Sequence, residues 1–425
     1  MKEKDPLPVR FLLIIALLIC ALLLGFLLKG YFPVNPEINV QFVPPSLDIG
    51  SLQREVSNLR ELPLKQEIAV GFLDQEALNQ ELKKNMEEDL GQEDLQSTEK
   101  VLRFLGILKG DESLKDMLFK VLSEQVYGFY DQEKKELKVL KKDNKTTALE
   151  HFALVHEIVH GLQDQNFDLS RFMPPKFKGN DDELMAVQSL YEGDACWTSE
   201  LYLEKEGSLS FQIGLFFDSL KVNQNALETA SPYVTESLLF PYQEGMSFVQ
   251  TLYKKGGWDL VNLAFENPPV STEQIIHPEK YLSNEKPENF TFPRWKSLEG
   301  YTLIKENTLG EFDLRYLFKL FLPESQADEA AAGWNGSLYQ LWEKDGKMVF
   351  VLETRWDSSQ DASEAGYALE SFLKNRFGFA PANYYRGSLF KGENEVGLLY
   401  PSSQDQYLIL APDEKLALDI LNELP

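Results

Sequence analysis

Five consecutive residues carry the strongest chemical signal in the chain: His156-Glu157-Ile158-Val159-His160. Two imidazoles four positions apart lie on one face of a helix, one turn from each other. At that spacing both can bind one metal ion. Zinc takes imidazole nitrogen at about 2.0–2.1 Å in tetrahedral geometry, and a catalytic site keeps one position for water. Glu157 is one residue on, so it points roughly 100° around the helix. There it reaches the water rather than the metal and serves as general base. The bland alternative is a pair of core histidines. It leaves buried imidazoles and a carboxylate short of partners, which is costly.

The chemistry needs a helix under it, and the flanks supply one. Ala148, Leu149, Phe152, Ala153, Leu154, Val155 and Leu162 are apolar, and Thr147 with Glu150 has the spacing of a capping box. A second helix is expected to start at Asn180-Asp181-Asp182-Glu183 and to run to about residue 204. Glu192 lies in its apolar centre, followed by Gly193 and Ala195. Small residues let a neighbouring helix approach, and a central glutamate there needs a partner, for which zinc is well suited. Glu192 is therefore the favoured third ligand. Asp194 and Cys196 are rivals, the cysteine as a thiolate one turn on. A third possibility is that Glu192 pairs with a lysine or caps a loop.

HEIVH followed by YEGDA (191–195) resembles the gluzincin metallopeptidases, whose third ligand is a Glu on a second helix. FPYQEG (240–245) is similar to the P-Y-E-K-G segment of the aminopeptidase N-like members. The tyrosine of that segment donates to the tetrahedral intermediate, and the resemblance assigns that role to Tyr242. The GFYD, HEIVHGLQDQ, EGDA and STEQIIHPEKY blocks resemble an uncharacterised membrane-anchored bacterial branch. The resembling stretch covers roughly 126–280. It departs from the family in three ways. Residues 161–191 form a longer spacer than in the aminopeptidases, and the amine-capturing G-x-M-E-N segment is missing, which favours an endopeptidase. Cys196 stands where some gluzincins carry an Asp that supports a ligand.

Other residues offer supporting parts. Asp164, four after His160, falls on the ligand face and would steady a ligand imidazole, provided Gly161 does not end the helix first. His277, in STEQIIHPEKY (271–281), is a candidate to stabilise an oxyanion or bind substrate, with loop anchoring before Pro278 as the alternative. His151 is roughly 140° off the ligand face and reads as structural. VYGFYDQEKKELKVL (126–140) reads as a hairpin. Its first strand is either a core strand or an edge that pairs with an extended peptide.

The rest of the chain frames these elements. There are 425 residues, with 42 Lys plus Arg against 67 Asp plus Glu, a net charge of −25. An acidic field repels polyanions, so nucleic acid is excluded as a partner. Two cysteines, Cys20 and Cys196, exclude a disulfide framework. Residues 11–28 are uncharged and apolar, close to the length of a hydrocarbon core, with Lys2, Lys4 and Arg10 before them. This predicts an uncleaved membrane anchor with a cytoplasmic tail (1–10) and an extracytoplasmic remainder, with a cleaved signal peptide and a buried core helix as the alternatives. A proline-rich linker is expected over 29–60, a catalytic domain over 61–300 and a smaller α+β domain over 301–425. The fold class is α+β: a mostly helical zincin-like domain with a small sheet, one transmembrane helix before it and the α+β domain after it. The functional expectation is a membrane-anchored zinc endopeptidase acting on a peptide or protein. The alternatives are a zinc hydrolase of other cell-envelope material and an inactive tethered scaffold.

Overall fold

A computed structural model describes residues 48–89, 92–125, 128–140, 147–172, 177, 179–206, 211, 229–384 and 387–424. The expected tail, the membrane span over 11–28 and most of the linker lie outside these residues. Among the described residues no helix is long and apolar enough to cross a membrane. The chain is a mixture of α and β in two compact units. The first comprises Met1–Gln96, Gly110–Lys176 and Ala186–Pro269; the second comprises Ser97–Lys109, Phe177–Met185 and Val270–Pro425.

The first unit opens on helix α1 (Ile49–Arg60). These residues belong to the expected linker, and the structure corrects that boundary. The prolines that block regular structure all precede Asp48, whose carboxylate accepts from the Ser51 amide and caps the helix. Strand β1 (Ala69–Leu73) follows, then helices α2 (Gln75–Asp89), α3 (Gln92–Phe104), which belongs to the second unit from Ser97 on, and α4 (Leu114–Gln125). Strands β2 (Gly128–Asp131) and β3 (Glu136–Leu140) form the expected hairpin. β1 adds to it in parallel, with Ala69 opposite Glu136 and Leu73 opposite Leu140, giving the order β1-β3-β2. Buried Gln53 of α1 brackets Ile68 just before β1, donating to its carbonyl at 2.8 Å and accepting from its amide at 2.9 Å.

Three long helices complete this unit. Helix α5 (Ala148–Phe167) carries the metal motif. Helix α6 (Asp181–Glu206) begins in the second unit and runs its central part in the first. Helix α7 (Pro232–Glu266) has a kink at Gly256 and Gly257. Gly161 does not end α5. A Cβ there would stand 2.4 Å from Ile68 Cδ1, so the glycine makes room for the residue that leads into β1.

The second unit contains the short helices α8 (Thr272–Ile276) and α9 (Pro278–Leu282), strand β4 (Thr302–Asn307), and helices α10 (Glu311–Lys319) and α11 (Glu324–Ala331). Strands β5 (Trp334–Lys344) and β6 (Lys347–Trp356) form a hairpin, followed by helix α12 (Ser359–Phe377). Strands β7 (Ala382–Tyr384), β8 (Gly387–Lys391), β9 (Val396–Ser402) and β10 (Asp405–Ala411) lead to helix α13 (Glu414–Glu423). The seven strands order as β4-β5-β6-β10-β9-β8-β7, each pair antiparallel. The β5–β6 turn is Asp345-Gly346, with φ of 50° and 74°. That is the left-handed pair a two-residue hairpin loop demands. Val349, Val351, Leu398, Ile409 and Ile420 build one core of this unit.

Candidate metal centre

Helix α5 starts as its sequence dictates. Thr147 Oγ1 accepts from the Glu150 amide at 3.1 Å, and the Glu150 carboxylate accepts from the Thr147 amide at 2.8 Å. From that start the helical repeat carries His156 and His160 to one buried face. Their Nε2 atoms lie 3.0 Å apart. Glu192 Oε2, from the centre of α6, lies 3.3 Å from each. A tetrahedral ion with bonds of about 2.0–2.1 Å holds its donors about 3.3–3.4 Å apart. The triangle of two imidazole nitrogens and one carboxylate oxygen therefore matches the donor spacing of zinc.

Unpartnered atoms point the same way. Oε1 of Glu192 is buried without a hydrogen-bond partner, and the buried Glu157 carboxylate meets no side-chain donor, only a weak backbone interaction from Tyr130. Orphan atoms of this kind are rare in native interiors and ask for a reason. Burial pushes the Glu157 carboxyl up to about 7, although His160 and His156 pull it down; Glu192 adds to the rise and the Tyr130 backbone amide offsets a little of it. Burial also opposes charge on Glu192, but His160 and His156 outweigh it and hold this carboxyl below its ordinary value. His160 is raised despite burial because Glu192 faces it. The group thus separates its two carboxylates, one ionised among the imidazoles and one near neutrality in its proton affinity.

Tyr242 of α7 joins them. It is buried, and its ring centroid stands 6.4 Å from that of His156. The two glycine-bearing motifs account for its approach. A Cβ on Gly193 would stand 2.1 Å from the Gly245 carbonyl oxygen, so α6 and α7 cross in backbone contact. That crossing lies one residue from Glu192 and one turn from Tyr242.

Other expectations are redistributed. Asp194 is not beside the imidazoles as a ligand; it accepts from Arg60 Nε at 2.6 Å and from Gln163 Nε2 at 2.8 Å. Cys196 is buried one turn beyond Glu192 and is outside the donor group. Asp164 does not steady a ligand. It accepts from Tyr130 Oη at 2.9 Å and from Lys135 Nζ at 2.5 Å, which ties α5 to the β2–β3 hairpin. The residue touching a ligand imidazole is its neighbour Gln163, whose Oε1 lies 2.9 Å from His160 Nδ1. Gln163, like Arg60, is absent from the sequence reading. Its signal was its place one turn after His160, shared with the polar run Gln163-Asp164-Gln165-Asn166. His151 sits apart, its Nε2 3.1 Å from Tyr202 Oη, and burial lowers it to about 4.

His277 belongs to the second unit. It closes α8 and precedes Pro278 of α9, with Nε2 2.9 Å from Glu311 Oε1. That hydrogen bond raises its proton affinity against partial burial. The pairing suits the anchoring role. A further cluster, Glu273, Glu285 and Asp357, has metal-like spacing. Lys280 Nζ already fills it, within 2.6 Å, 2.9 Å and 2.5 Å of the three carboxylates. β2 is an edge strand, but its four residues are buried, so in this conformation it offers no open edge to a peptide.

A family model described as a domain of unknown function (DUF8575) matches residues 300–398. The match lies in the second unit and contains none of His156, Glu157, His160, Glu192 or Tyr242. No curated protein and no solved structure matches the chain.

Proposed function

We propose that this chain is a zinc-dependent endopeptidase of the gluzincin type, held at a membrane by residues 11–28 with its catalytic unit outside the cytoplasm. The observation that carries the reading is the His156–His160–Glu192 triangle, with sides of 3.0, 3.3 and 3.3 Å, beside a buried Glu157 carboxyl with no side-chain partner. Three protein donors rather than four leave a coordination position open, the arrangement of catalytic rather than structural zinc. When bound, zinc supplies there a water of lowered pKa and a Lewis acid for a carbonyl.

The chain's own residues do the rest. His156, His160 and Glu192 hold the ion and contribute one negative charge to it. Glu157 takes a proton from the attacking water and returns it to the leaving amine. Tyr242 donates a hydrogen bond from its phenolic O–H to the oxygen that gains charge as the carbonyl becomes tetrahedral. Burial of all five side chains strengthens each of these interactions, because little water screens them.

The test is metal content and proteolysis on the full chain. About one zinc per chain is expected, together with cleavage of a peptide library that stops in Glu157→Gln while the zinc stays. Cleavage unchanged in that variant removes Glu157 as base. Zinc binding with hydrolysis of envelope esters or glycans but not peptides replaces the peptidase reading by the broader hydrolase one.

A further inference from the structure

The ligand His160 is useful only in one tautomer. Its Nε2 must present a lone pair to the donor triangle, which requires the proton on Nδ1. Five side chains behind the site dictate that choice. Gln163 Oε1 stands 2.9 Å from His160 Nδ1. The amide nitrogen of Gln163 is committed twice, donating to the Tyr191 carbonyl at 2.9 Å and to Asp194 Oδ2 at 2.8 Å. A backbone carbonyl only accepts, and an ionised carboxylate only accepts. The amide therefore cannot flip without setting oxygen against oxygen on two sides. Its Oε1 must face the imidazole, and Nδ1 must carry the hydrogen.

The acceptor character of Asp194 is secured in turn. Arg60 Nε donates to its Oδ1 at 2.6 Å, and both side chains are fully buried. Arg60 is held by Asn262, which accepts from Nη2 at 2.8 Å, and by the Trp258 ring 4.2 Å beneath the guanidinium. Trp258 Nε1 donates to the Leu59 carbonyl at 3.0 Å, closing the set onto the end of α1. Bulk water does not reach these groups, since Gln163, Asp194 and Arg60 are all 0% exposed.

We propose that Gln163 is a positioning residue that locks His160 as the Nδ1–H tautomer, and that Arg60, acting through Asp194, fixes the sense of its amide. The inference rests on the metal reading above. It makes α1 a working part of the metal centre, connected to it across 134 positions of sequence between Arg60 and Asp194. Support of a ligand imidazole from behind is typically worth about 10–100-fold in metal affinity.

The chain has four histidines, so histidine-selective nitrogen labelling of the full chain in detergent gives four rings, with His160 identified by comparison with His160→Gln. In the metal-free wild type, long-range proton–nitrogen correlations are expected to show His160 protonated at Nδ1. A dominant Nε2–H form there overturns the proposal without any Gln163 variant, so it stays testable if Gln163→Leu fails to fold. Where that variant folds, it is expected to populate the Nε2–H form, to bind zinc about 10–100-fold more weakly against a chromophoric chelator, and to shift the visible band of bound cobalt. Wild type that takes up metal, with Gln163→Leu equal in affinity, cobalt band and tautomer, overturns the role of Gln163 alone. Wild type that takes up neither zinc nor cobalt overturns the metal reading and this role with it.

Discussion

Gly193 of α6 and Gly245 of α7 meet backbone to backbone: a Cβ on the first would stand 2.1 Å from the carbonyl oxygen of the second, and a Cβ on the second 2.2 Å from the Ser189 carbonyl oxygen. Glu192 precedes one glycine and Tyr242 lies one turn before the other. A single close crossing thus delivers the proposed third ligand and a phenol to the same place.

This contact predicts the sign of a substitution. By helix propensity alone, Gly193→Ala stabilises a buried helix by about 1 kcal/mol. With carbonyl atoms occupying the space, overpacking instead costs about 1–3 kcal/mol. Urea unfolding should show a lower midpoint in Gly193→Ala, and zinc affinity should fall with it because Glu192 is adjacent. A raised midpoint contradicts the crossing.

Glu157→Gln separates catalysis from stability. Hydrolysis is expected to fall by about 10²–10⁴, the usual worth of a general base, with zinc retained. In the metal-free protein the folded carboxyl titrates at about 7 against an ordinary value of 4.5. A raised carboxyl gives stability that is full below pH 4.5 and is lost as pH rises through 7. Metal-free Glu157→Gln lacks that loss, so at pH 8 it should be more stable than metal-free wild type, by up to about 3 kcal/mol. Denaturant curves at pH 5 and pH 8 measure the difference.

Tyr242→Phe deletes one donor and keeps the buried ring. Turnover should drop by about 10²–10³ while zinc content and KM change little. A matched fall in zinc content would assign Tyr242 to the structure of the site instead.

His151 controls an acid limb. Its folded value of about 4 lies below the ordinary 6.5 because burial disfavours the charged ring. The unfolded chain takes up a proton in that window and the folded chain does not. Stability is therefore full above pH 6.5 and is lost as pH falls towards 4, by up to roughly 3 kcal/mol. His151→Phe should flatten this limb in urea titrations at pH 4.5 and 7, leaving zinc uptake at pH 7 intact.

The Glu273–Glu285–Asp357 cluster should bind no second metal, since Lys280 occupies it. Zinc titration is expected to stop at one ion per chain. Lys280→Met leaves the buried Glu273 carboxylate alone, and breaking such a pair costs about 3–5 kcal/mol, less whatever Glu273 recovers by protonation.

Much of the fold was legible because it is local. Thr147 and Glu150 cap α5 three residues apart, His156 and His160 share a face by the helical repeat, and the β2–β3 hairpin depends on neighbours in the chain. Glu192 was legible for a different reason: a carboxylate in the apolar centre of a helix must find a partner. The prolines misled over residues 49–60, where Asp48 caps a helix immediately after the last of them.

What the amino-acid order determined by itself is the set of donors and the helices that carry them. The supports behind those donors were decided only in three dimensions. Gln163 and Asp164 follow His160 by three and four positions, and periodicity places both near the ligand face. Packing separated them: Tyr130 and Lys135 of the hairpin captured Asp164, which left Gln163 to face the imidazole. Arg60 and Asp194 carry no local signal for each other, because a buried ion pair is specified by the meeting of two helix surfaces. Periodicity tells which way a side chain turns; which partner waits there depends on how distant segments close around it.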